Sequence, residues 1–315
     1  MAITPDDIAA AAARIAPHVR QTPLWKLPGS ALGLPAGTPP FEAWLKLEQL
    51  QCSGTFKARG MFNRLLSNTI PAAVVIAASG GNAGIATALA AQVLGVRAEI
   101  FVPAISSAAK RERLAALGAT VVVGGDAYAD ALKACEARQH ETGALMTHAY
   151  DQTEVVAGAG TLAREVELQA GLPDTVLVSV GGGGLIGGIA AWFASRARVI
   201  ALEPELAPTL HRARAAGEPV DVTVGGIAAD SLGARRIGAI SSAITQQHVA
   251  RAELLSDDAI RAAQHFMWRE LKLLVEPAAA LPLAALQAGI VVPRAGERVC
   301  LIVCGANVDP ASLAT

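Results

Sequence analysis

The chain has 315 residues, of which 52% are hydrophobic, 17% are charged and 30 are glycine. This composition is typical of a compact α/β protein of one or two domains and excludes a disordered chain. The net charge of −1 provides no basic surface for nucleic acid or an anionic membrane, so neither partner is expected.

The first residues predict a capped helix rather than a signal peptide. Thr4 is a suitable N-cap, Pro5 suits the first helical position, and Asp6 and Asp7 fall in the first turn. A signal peptide would need a basic start followed by an apolar core. The four cysteines do not predict a disulfide framework in a chain of this length, so a reducing, cytoplasmic location is expected.

The next feature is a lysine in the stretch CSGTFKARG, residues 52–60. Six of the 26 basic residues are lysine, so arginine is the common base in this chain. Lys57 is either an ordinary solvated helix residue or an amine that has to lose its proton, which arginine cannot do. The stretch by itself leaves both interpretations open.

Apolar strands alternate with helices from residue 74 onward. Strands are predicted at 74–78, 98–103, 119–123, 175–180, 198–203 and 298–304. Helices are predicted at 82–94, 106–118, 153–170, 207–216, 256–272 and 277–289, with one more ending near 141 and another beginning near 185. This alternation implies parallel sheets with helices on both faces. Because there are two such series, we expect two sheets in contact with a cleft between them.

Two uncharged runs, 65–96 and 175–195, are long enough to span a membrane. Each contains a cluster of glycines, which would leave backbone polar groups unpaired in lipid. Both runs are therefore interpreted as a strand, a glycine loop and a buried helix, and no membrane segment is expected.

The second cluster, GGGGLIGG at 181–188, has two competing explanations. Gly182, Gly184 and Gly187 have the G-x-G-x-x-G spacing, and Glu203 ends the next strand, as in dinucleotide-binding proteins. A nicotinamide-dependent dehydrogenase is therefore the main alternative. The same loop would also present free N–H groups at a positive helix end, which suits any phosphate. Close packing of helix and strand would explain some of the glycines, but four in a row favour phosphate binding.

Two further stretches follow predicted strands. SGGNAG at 79–84 would offer N–H donors to a carboxylate or a phosphate, unless it is a simple turn capped by Asn82. Cys304 ends the last strand, where ligands bind in open α/β sheets, and is either a weak partner for a ring nitrogen or a small buried hydrophobe. Histidines, cysteines and acids show no metal-ligand spacing, so no metal is expected.

Taken together, these motifs and their order resemble the fold-type II pyridoxal-phosphate enzymes, in particular the serine/threonine dehydratases. SGTFKARG is similar to the lysine motif of that family, SGGNAG to its substrate-carboxylate loop and GGGGL to its phosphate loop. Its other landmarks resemble RQTPLW (20–25), VGGIAADSLGARRIG (224–238), VEPAAA (275–280) and CGAN (304–307).

The resemblance implies an α/β fold of the tryptophan synthase β-like type, with two doubly wound, mostly parallel-sheet domains and the cofactor in the cleft between them. The large domain, which binds the cofactor phosphate, would comprise residues 1–45 and 143–315. The small domain, at 46–142, would carry the substrate-carboxylate loop.

The resemblance also implies a role for each matching residue. Lys57 would hold pyridoxal 5'-phosphate as a Schiff base and, once freed by the substrate, would remove the α-proton. The other cofactor contacts would be Phe56, Asn82, Gly181, Gly182, Gly183, Gly184, Leu185, Glu276 and Cys304. The substrate carboxylate would bind to Ser79, Gly80, Gly81, Asn82 and Ala83.

The activity implied in this way is that of an L-serine/L-threonine dehydratase (ammonia-lyase), which converts a 3-hydroxy amino acid to a 2-oxo acid and ammonia. A 3-hydroxyaspartate dehydratase, a serine racemase and a non-catalytic pyridoxal-phosphate binder are alternatives. Racemases of the family place a second hydroxyl-bearing residue where Gly80 stands, so a dehydratase is favoured.

Three more expectations follow from the resemblance. Many members bind a cation near the segment that matches 203–209, and Glu203 and the carbonyl of Ala207 match its ligands. Thr209 stands at the second carboxylate position, which does not favour a bound Mg²⁺ or Ca²⁺ here. The family suggests a homodimer. Allosteric members continue into a regulatory domain beyond the point where this chain ends, so feedback inhibition through such a domain is not expected.

Overall fold

The computed structural model describes residues 3–70 and 74–313. Ten strands are found in these ranges: β1 (Leu24–Pro28), β2 (Glu42–Leu47), β3 (Val75–Ala78), β4 (Ala98–Val102), β5 (Thr120–Val123), β6 (Leu145–Met146), β7 (Thr175–Ser179), β8 (Arg198–Pro204), β9 (Val249–Leu255) and β10 (Arg298–Val303). The α-helices there are α1 (Pro5–Ile15), α2 (Lys57–Leu66), α3 (Asn82–Val93), α4 (Ala108–Ala116), α5 (Tyr128–Thr142), α6 (Thr153–Ala170), α7 (Gly184–Phe193), α8 (Thr209–Ala216), α9 (Ala229–Leu232), α10 (Ala239–His248), α11 (Asp257–Arg269) and α12 (Pro277–Gln287).

The strands form two sheets, as the two βα series predict. The larger sheet has the order β1-β2-β10-β7-β8-β9, and the smaller has the order β5-β4-β3-β6. Every neighbouring pair is parallel except β1 and β2, which are antiparallel. The expected α/β architecture with mostly parallel sheets is therefore confirmed.

The predicted first helix is present with the predicted cap. Asp7 N donates to Thr4 Oγ1 at 3.2 Å, and Thr4 N donates to Asp7 Oδ2 at 2.9 Å, which forms a reciprocal capping box. Every strand and helix predicted from residue 74 onward is also found, with ends that differ by up to three residues.

Seven elements were not predicted: β1, β2, β6, β9, α2, α9 and α10. The largest omission is β2, a buried strand of the larger sheet whose apolar pattern is interrupted by Lys46. That lysine is fully buried because Glu165 of α6 accepts from its Nζ at 2.5 Å. The residue that balances the charge of Lys46 is far away in sequence. The local sequence pattern of β2 therefore does not indicate that the strand is buried.

The predicted limits of the small domain, 46–142, differ from the sheets at both ends. Strand β2 continues in the larger sheet to Leu47. Strand β6 belongs to the smaller sheet although it lies beyond residue 142, because Leu145 and Met146 pair with Val75 and Ile76 of β3.

Four loops of chemical interest follow the carboxyl ends of parallel strands. The lysine segment follows β2, SGGNAG follows β3, GGGG follows β7 and CGAN follows β10. Ligands of open α/β sheets bind at this edge, and the fold therefore brings the four loops within reach of one another.

The contact between α6 and α7 depends on glycine. A Cβ atom built on Gly188 of α7 would lie 2.4 Å from Gly160 N and 2.4 Å from Val156 O, both backbone atoms of α6. Backbone cannot move aside as a flexible side chain can, so the two helices approach closely only without a side chain at this position.

We expect Gly188→Ala to lower the free energy of unfolding by about 1–3 kcal/mol, since an added methyl group overpacks the α6–α7 contact. Chemical denaturation would measure the change. Gly124→Ala is the matched control, because no atom lies within 4 Å of its added Cβ. Equal losses of stability in both variants would contradict this account of the contact.

Candidate active site

The segment that carries Lys57 is tied to the loop after β10. Thr55 and Gly305 form an isolated antiparallel bridge, and Phe56 N donates to Cys304 O at 3.1 Å. Ala306 N also donates to Gly54 O, at 2.9 Å. These backbone bonds fix where α2 begins, and Lys57 is its first residue.

The amine of Lys57 is held without a direct ion pair in the described structure. Its Nζ donates to the carbonyl oxygen of Ala149 at 2.6 Å and lies 5.0 Å from the centre of the Phe56 ring. Burial lowers the pKa of Lys57 to about 8, although the nearby Cys304 and Glu276 act in the opposite direction. A substantial fraction of this amine is therefore neutral near physiological pH, as a nucleophile or base requires.

Lys57 faces a cavity with about 440 Å³ of empty space, part of it open to solvent. The lining residues are Phe56, Lys57, Asn82, Tyr150, Ser179, Gly181, Gly182, Gly183, Gly184, Leu185, Ser231, Leu232, Glu276, Ala278 and Cys304. All ten residues to which the resemblance gives a cofactor contact are in this lining. The structure thus brings them together from four loops and the start of α12.

The glycine loop at 181–184 has no room for side chains. A Cβ atom on Gly182 would lie 2.2 Å from Tyr150 Cδ1, and one on Gly184 would lie 3.1 Å from Tyr150 Cα. Gly183, the N-cap of α7, has a φ of 91°, which L residues rarely adopt. The loop therefore presents bare backbone at the positive end of α7, an arrangement that suits a phosphate group.

The predicted carboxylate loop lies at the start of α3, beside the cavity. Of its five residues, Asn82 lines the cavity, whereas Ser79, Gly80, Gly81 and Ala83 are outside the lining set. Gly81 is the N-cap of α3 and makes no side-chain cap, and its own N–H donates to Ser79 Oγ at 3.3 Å. The first N–H groups of α3 are thus oriented for an anion at this helix end.

A chain of polar side chains connects three of the loops. Asn82 Nδ2 lies 3.0 Å from both carboxylate oxygens of Glu276, and Asn82 Oδ1 accepts from Asn307 Nδ2 at 2.7 Å. Asn307 Nδ2 also donates to Ser53 O at 3.1 Å. Burial raises the pKa of Glu276 to about 7, against the opposing effects of Asn82 and Lys57. The orientation of Asn82 therefore depends on Glu276 and Asn307, both far from it in sequence.

Cys304 ends β10 at the wall of the cavity and is 3% exposed. Burial raises the pKa of its thiol well above the usual value, and Glu276 adds to the shift. The thiol is therefore neutral over the physiological range. A neutral thiol offers a weak hydrogen bond and no negative charge to a ligand atom beside it.

Sequence reasoning missed the segment 148–151 between β6 and α6. His148 Nδ1 accepts from Tyr150 N at 3.3 Å and from Asp151 N at 2.9 Å, and the Asp151 carboxylate accepts from the first two N–H groups of α10. These bonds place Ala149 against Lys57 and the Tyr150 ring against Gly182. The available signal was the cluster of ring and acid side chains in HAYD, directly after a strand.

The structure does not support the dinucleotide-binding interpretation, because Glu203 is not available to bind a ribose. Glu203 is fully buried, and its carboxylate oxygens accept from Thr209 Oγ1, Leu210 N and His211 N at the start of α8. A ribose-binding acid needs a free carboxylate at the cavity, and Glu203 is outside the lining set. The glycine spacing of a dinucleotide-binding motif is present, but the Glu203 carboxylate is hydrogen-bonded to the start of α8.

Within residues 3–70 and 74–313 there is no group of three or more His, Cys, Asp or Glu side chains placed to hold a metal ion. The same part of the chain contains no helix long and apolar enough to cross a membrane.

Comparison with known proteins agrees with this site. A sequence model described as "pyridoxal-phosphate dependent enzyme" matches residues 15–305. The chain belongs to this family. It is 36% identical to phenylserine dehydratase from Ralstonia pickettii over 98% of this chain and 94% of that protein. It is 37% identical to L-threonine ammonia-lyase from Geobacter sulfurreducens over 84% of this chain and 67% of that protein.

Solved structures show the same fold. Serine racemase from maize has a TM-score of 0.91 and 30% identity, covering 100% of this chain and 96% of that one. Serine racemase from Dictyostelium discoideum has a TM-score of 0.88 and 29% identity, and the match covers 98% of this chain and 99% of that one. A solved threonine deaminase also has a TM-score of 0.88, with 33% identity, covering 97% and 99%. The fold type, the enzyme class and the pyridoxal-phosphate cofactor predicted from the sequence are therefore confirmed.

The residues of the cavity fit the cofactor of this pyridoxal-phosphate family. A lysine amine with a lowered pKa can bond to an aldehyde, and a side-chain-free loop at a helix end can bind a phosphate. Asn82, Glu276 and Cys304 supply polar groups between these two features. When bound, pyridoxal phosphate supplies the electron sink for a carbanion at the substrate's α-carbon.

We expect the rate at which pyridoxal phosphate attaches covalently to the apoprotein to rise with pH through about 8. The attacking amine must be neutral, and the pKa of Lys57 is lowered to about 8 from the ordinary 10.5, so the neutral form dominates above pH 8. Stopped-flow absorbance would measure the rate. Lys57→Arg should show no covalent band, and a rise confined to the region near pH 10.5 would contradict the assignment.

Proposed function

We propose that the protein is a pyridoxal-phosphate-dependent L-serine/L-threonine ammonia-lyase. The observation that carries this proposal is the position of the Lys57 amine, which shares one cavity with the glycine loop 181–184 and lies beside the anion-binding start of α3. An amine, a phosphate site and a carboxylate site are the three elements that an α-amino acid and this cofactor need together.

Each of these features takes one task in the reaction. The N–H groups of Gly181–184 and Leu185 would bind the cofactor phosphate, and Phe56 would contact the cofactor. The N–H groups of residues 79–83 bind the substrate carboxylate. Asn82, oriented by Glu276 and Asn307, donates to an oxygen of the ligand.

The proton transfers follow from the pKa of Lys57. The amine takes the α-proton from the substrate, the bond from the β-carbon to the hydroxyl oxygen breaks, and the hydroxyl leaves as water after it gains a proton. The resulting enamine is hydrolysed to a 2-oxo acid and ammonia. A neutral Cys304 would offer the bound cofactor a weak hydrogen bond and no counter-charge, which suits an elimination in which the leaving group departs at once.

The charge of the cavity favours an uncharged substrate side chain. Among the residues that line it, only Lys57 and Glu276 carry charge, and both already have tasks at the cofactor. Lys110, a cation of α4, is paired with Asp230 at 3.0 Å. A 3-hydroxyaspartate would bring a second carboxylate that these residues do not match, whereas the relatives named above are named for threonine and phenylserine.

We expect 2-oxo acid from L-threonine, L-serine or L-3-phenylserine, and a kcat/KM about 100-fold lower or worse for 3-hydroxyaspartate, because its second carboxylate is desolvated without a partner. Lys57→Ala should lower kcat about 10³-fold or more by removing the base. A coupled assay for the 2-oxo acid measures both.

Lys133→Ala is the matched control, because this lysine is exposed on α5. Full activity in Lys57→Ala would contradict the proposed ammonia-lyase mechanism. An intact visible band of bound cofactor with no 2-oxo acid from any of the four substrates would indicate a non-catalytic binder instead.

The likeness to maize serine racemase makes racemisation the second candidate. Gly80 has no side chain that exchanges a proton on the opposite face of the α-carbon. The nearest side-chain atom to a Cβ built there is Ser106 Oγ, at 3.3 Å.

We therefore expect no D-serine from L-serine while pyruvate accumulates, which chiral chromatography of one reaction mixture would show. In Gly80→Ser, a new hydroxyl should raise the ratio of D-serine to pyruvate, because a proton donor then stands on the second face. D-serine formed by the unaltered protein at a rate close to that of pyruvate would favour the racemase.

A further inference from the structure

A cluster of largely buried charges lies behind the lysine segment, and the proposed reaction uses none of them. Its cations are Lys46 and Arg59, which are 0% and 1% exposed. Its acids are Glu48, at 0%, and Glu165, whose side chain is 14% exposed. These four residues, the charged cluster, are outside the set that lines the cavity. Taking charge from water to this depth is costly, so the presence of the cluster needs an explanation.

The guanidinium of Arg59 is the centre of the charged cluster. Its Nε donates to Glu48 Oε2 at 2.8 Å and its Nη2 donates to Glu48 Oε1 at 2.7 Å, so the pair is bidentate. Nη2 also lies 3.0 Å from Glu165 Oε2, and Nη1 lies 3.4 Å from Thr161 Oγ1. All three nitrogens of a planar, rigid group thus have partners, which holds the side chain in one orientation.

Lys46 and the N-terminal stretch RQTPLW hold the two acids in place. Lys46 Nζ donates to Glu165 Oε1 at 2.5 Å and to the carbonyl oxygen of Thr22 at 2.8 Å. Thr22 N donates to Glu165 Oε1 at 2.8 Å, and Thr22 Oγ1 donates to Glu48. RQTPLW contributes no residue to the cavity lining. Its place in the structure is therefore explained by the charged cluster.

Arg59 and Lys57 belong to the same helical turn and extend to different sides of α2. Lys57 is the first residue of the helix and Arg59 is the third. Two such residues are separated by about 200° of rotation, since one turn contains 3.6 residues. The amine therefore reaches the cavity while the guanidinium reaches the charged cluster. A rotation of this turn about the helix axis would move both groups together.

The backbone of the same turn is in close contact with α6. A Cβ atom built on Gly158 of α6 would lie 2.5 Å from Arg59 O, and one built on Gly60 of α2 would lie 2.9 Å from Val155 O. These contacts set how close the two helices lie, since backbone cannot move aside. They contain no directional bond, whereas the bonds of the Arg59 guanidinium have fixed directions.

Stability alone does not explain the charged cluster. Well-packed apolar side chains of similar volume stabilise a protein interior as well as a buried ionic cluster does, and often better. What the ionic bonds add is direction, because a bidentate pair forms only in one geometry. A structure that needs one exact rotation of α2 gains from such bonds, and Lys57 in the same turn supplies that need.

We propose that the charged cluster sets the rotation of the first turn of α2, and that Arg59 is the positioning residue that holds the Lys57 amine at the carbonyl oxygen of Ala149. The inference rests on the role proposed for Lys57 and is independent of which amino acid the protein acts on.

The pKa of the Lys57 amine in the apoprotein tests this proposal without cofactor or substrate. Limited acetylation with acetic anhydride over a series of pH values, followed by mass spectrometry of the peptide that contains Lys57, gives the pH at which this amine is half neutral. In the unaltered protein we expect this midpoint at about 8, because burial lowers the pKa from 10.5. Cys304 and Glu276 act on the amine, and His148 faces it as well. The variants leave all three unchanged.

Arg59→Lys and Glu48→Asp keep the charge of the cluster and change its geometry. A single ammonium group cannot form the bidentate pair, and a shorter carboxylate cannot reach it. The first turn of α2 then loosens and water reaches the amine, so the Lys57 midpoint should rise by about one pH unit or more toward 10.5. If one variant does not fold, the other decides the question. A lower melting temperature with an unchanged midpoint would overturn the proposal.

Arg64→Lys is the matched control. Arg64 is on the same helix and also pairs with an acid of α6, Glu154, at 2.9 Å, but it lies about two turns beyond Lys57. The Lys57 midpoint should therefore stay where it is in the unaltered protein. A rise as large as that in Arg59→Lys would overturn the proposal, since any weakening of the α2–α6 contact would then have the same effect.

Turnover of the holoenzyme separates this inference from the proposed function. Arg59→Lys should lower kcat about tenfold, because a displaced base transfers a proton less efficiently. KM should stay within about twofold, because the start of α3 is untouched. A raised midpoint with an unchanged kcat would support the positioning by Arg59 and contradict Lys57 as the base of the proposed ammonia-lyase reaction.

Discussion

The burial of one lysine amine is the constraint on which the rest of this site depends. An amine taken from water loses solvation, and here the direct acceptor that replaces water is the carbonyl oxygen of Ala149. The segment around Lys57 has to be held firmly for such a position to persist, and bonds to the loop after β10 hold it. The reactivity of the amine is thus a product of the fold rather than of any residue beside it.

A buried acid extends the same principle around the cavity. Burial raises the pKa of Glu276 to about 7, so this side chain adds no firmly fixed negative charge. Buried Cys304 is neutral as well. The low and adjustable charge of this region leaves the backbone donors of the glycine loop as its dominant electrostatic feature, which suits a ligand that brings its own negative charges.

The loops of the site were visible in the sequence because each is a run of small residues directly after a strand, and their chemistry resides in the backbone. Tyr150 was missed, and Asn307 was given no role although it lies in CGAN, because only tertiary structure brings them to Gly182 and Asn82. Strand β2 was missed for a related reason, since the charge of Lys46 is matched across 119 residues of sequence. Long-range pairings of this kind leave no local pattern.

The contact between Tyr150 and Gly182 has a consequence for how the site can vary. The ring occupies the space that a side chain at 182 would need, with three ring atoms 2.2–2.4 Å from a Cβ built there. The two positions therefore share one volume, and their substitutions should be strongly non-additive. A residue larger than glycine at 182 would need a smaller residue at 150 to keep the same loop, so a change at one position constrains the other.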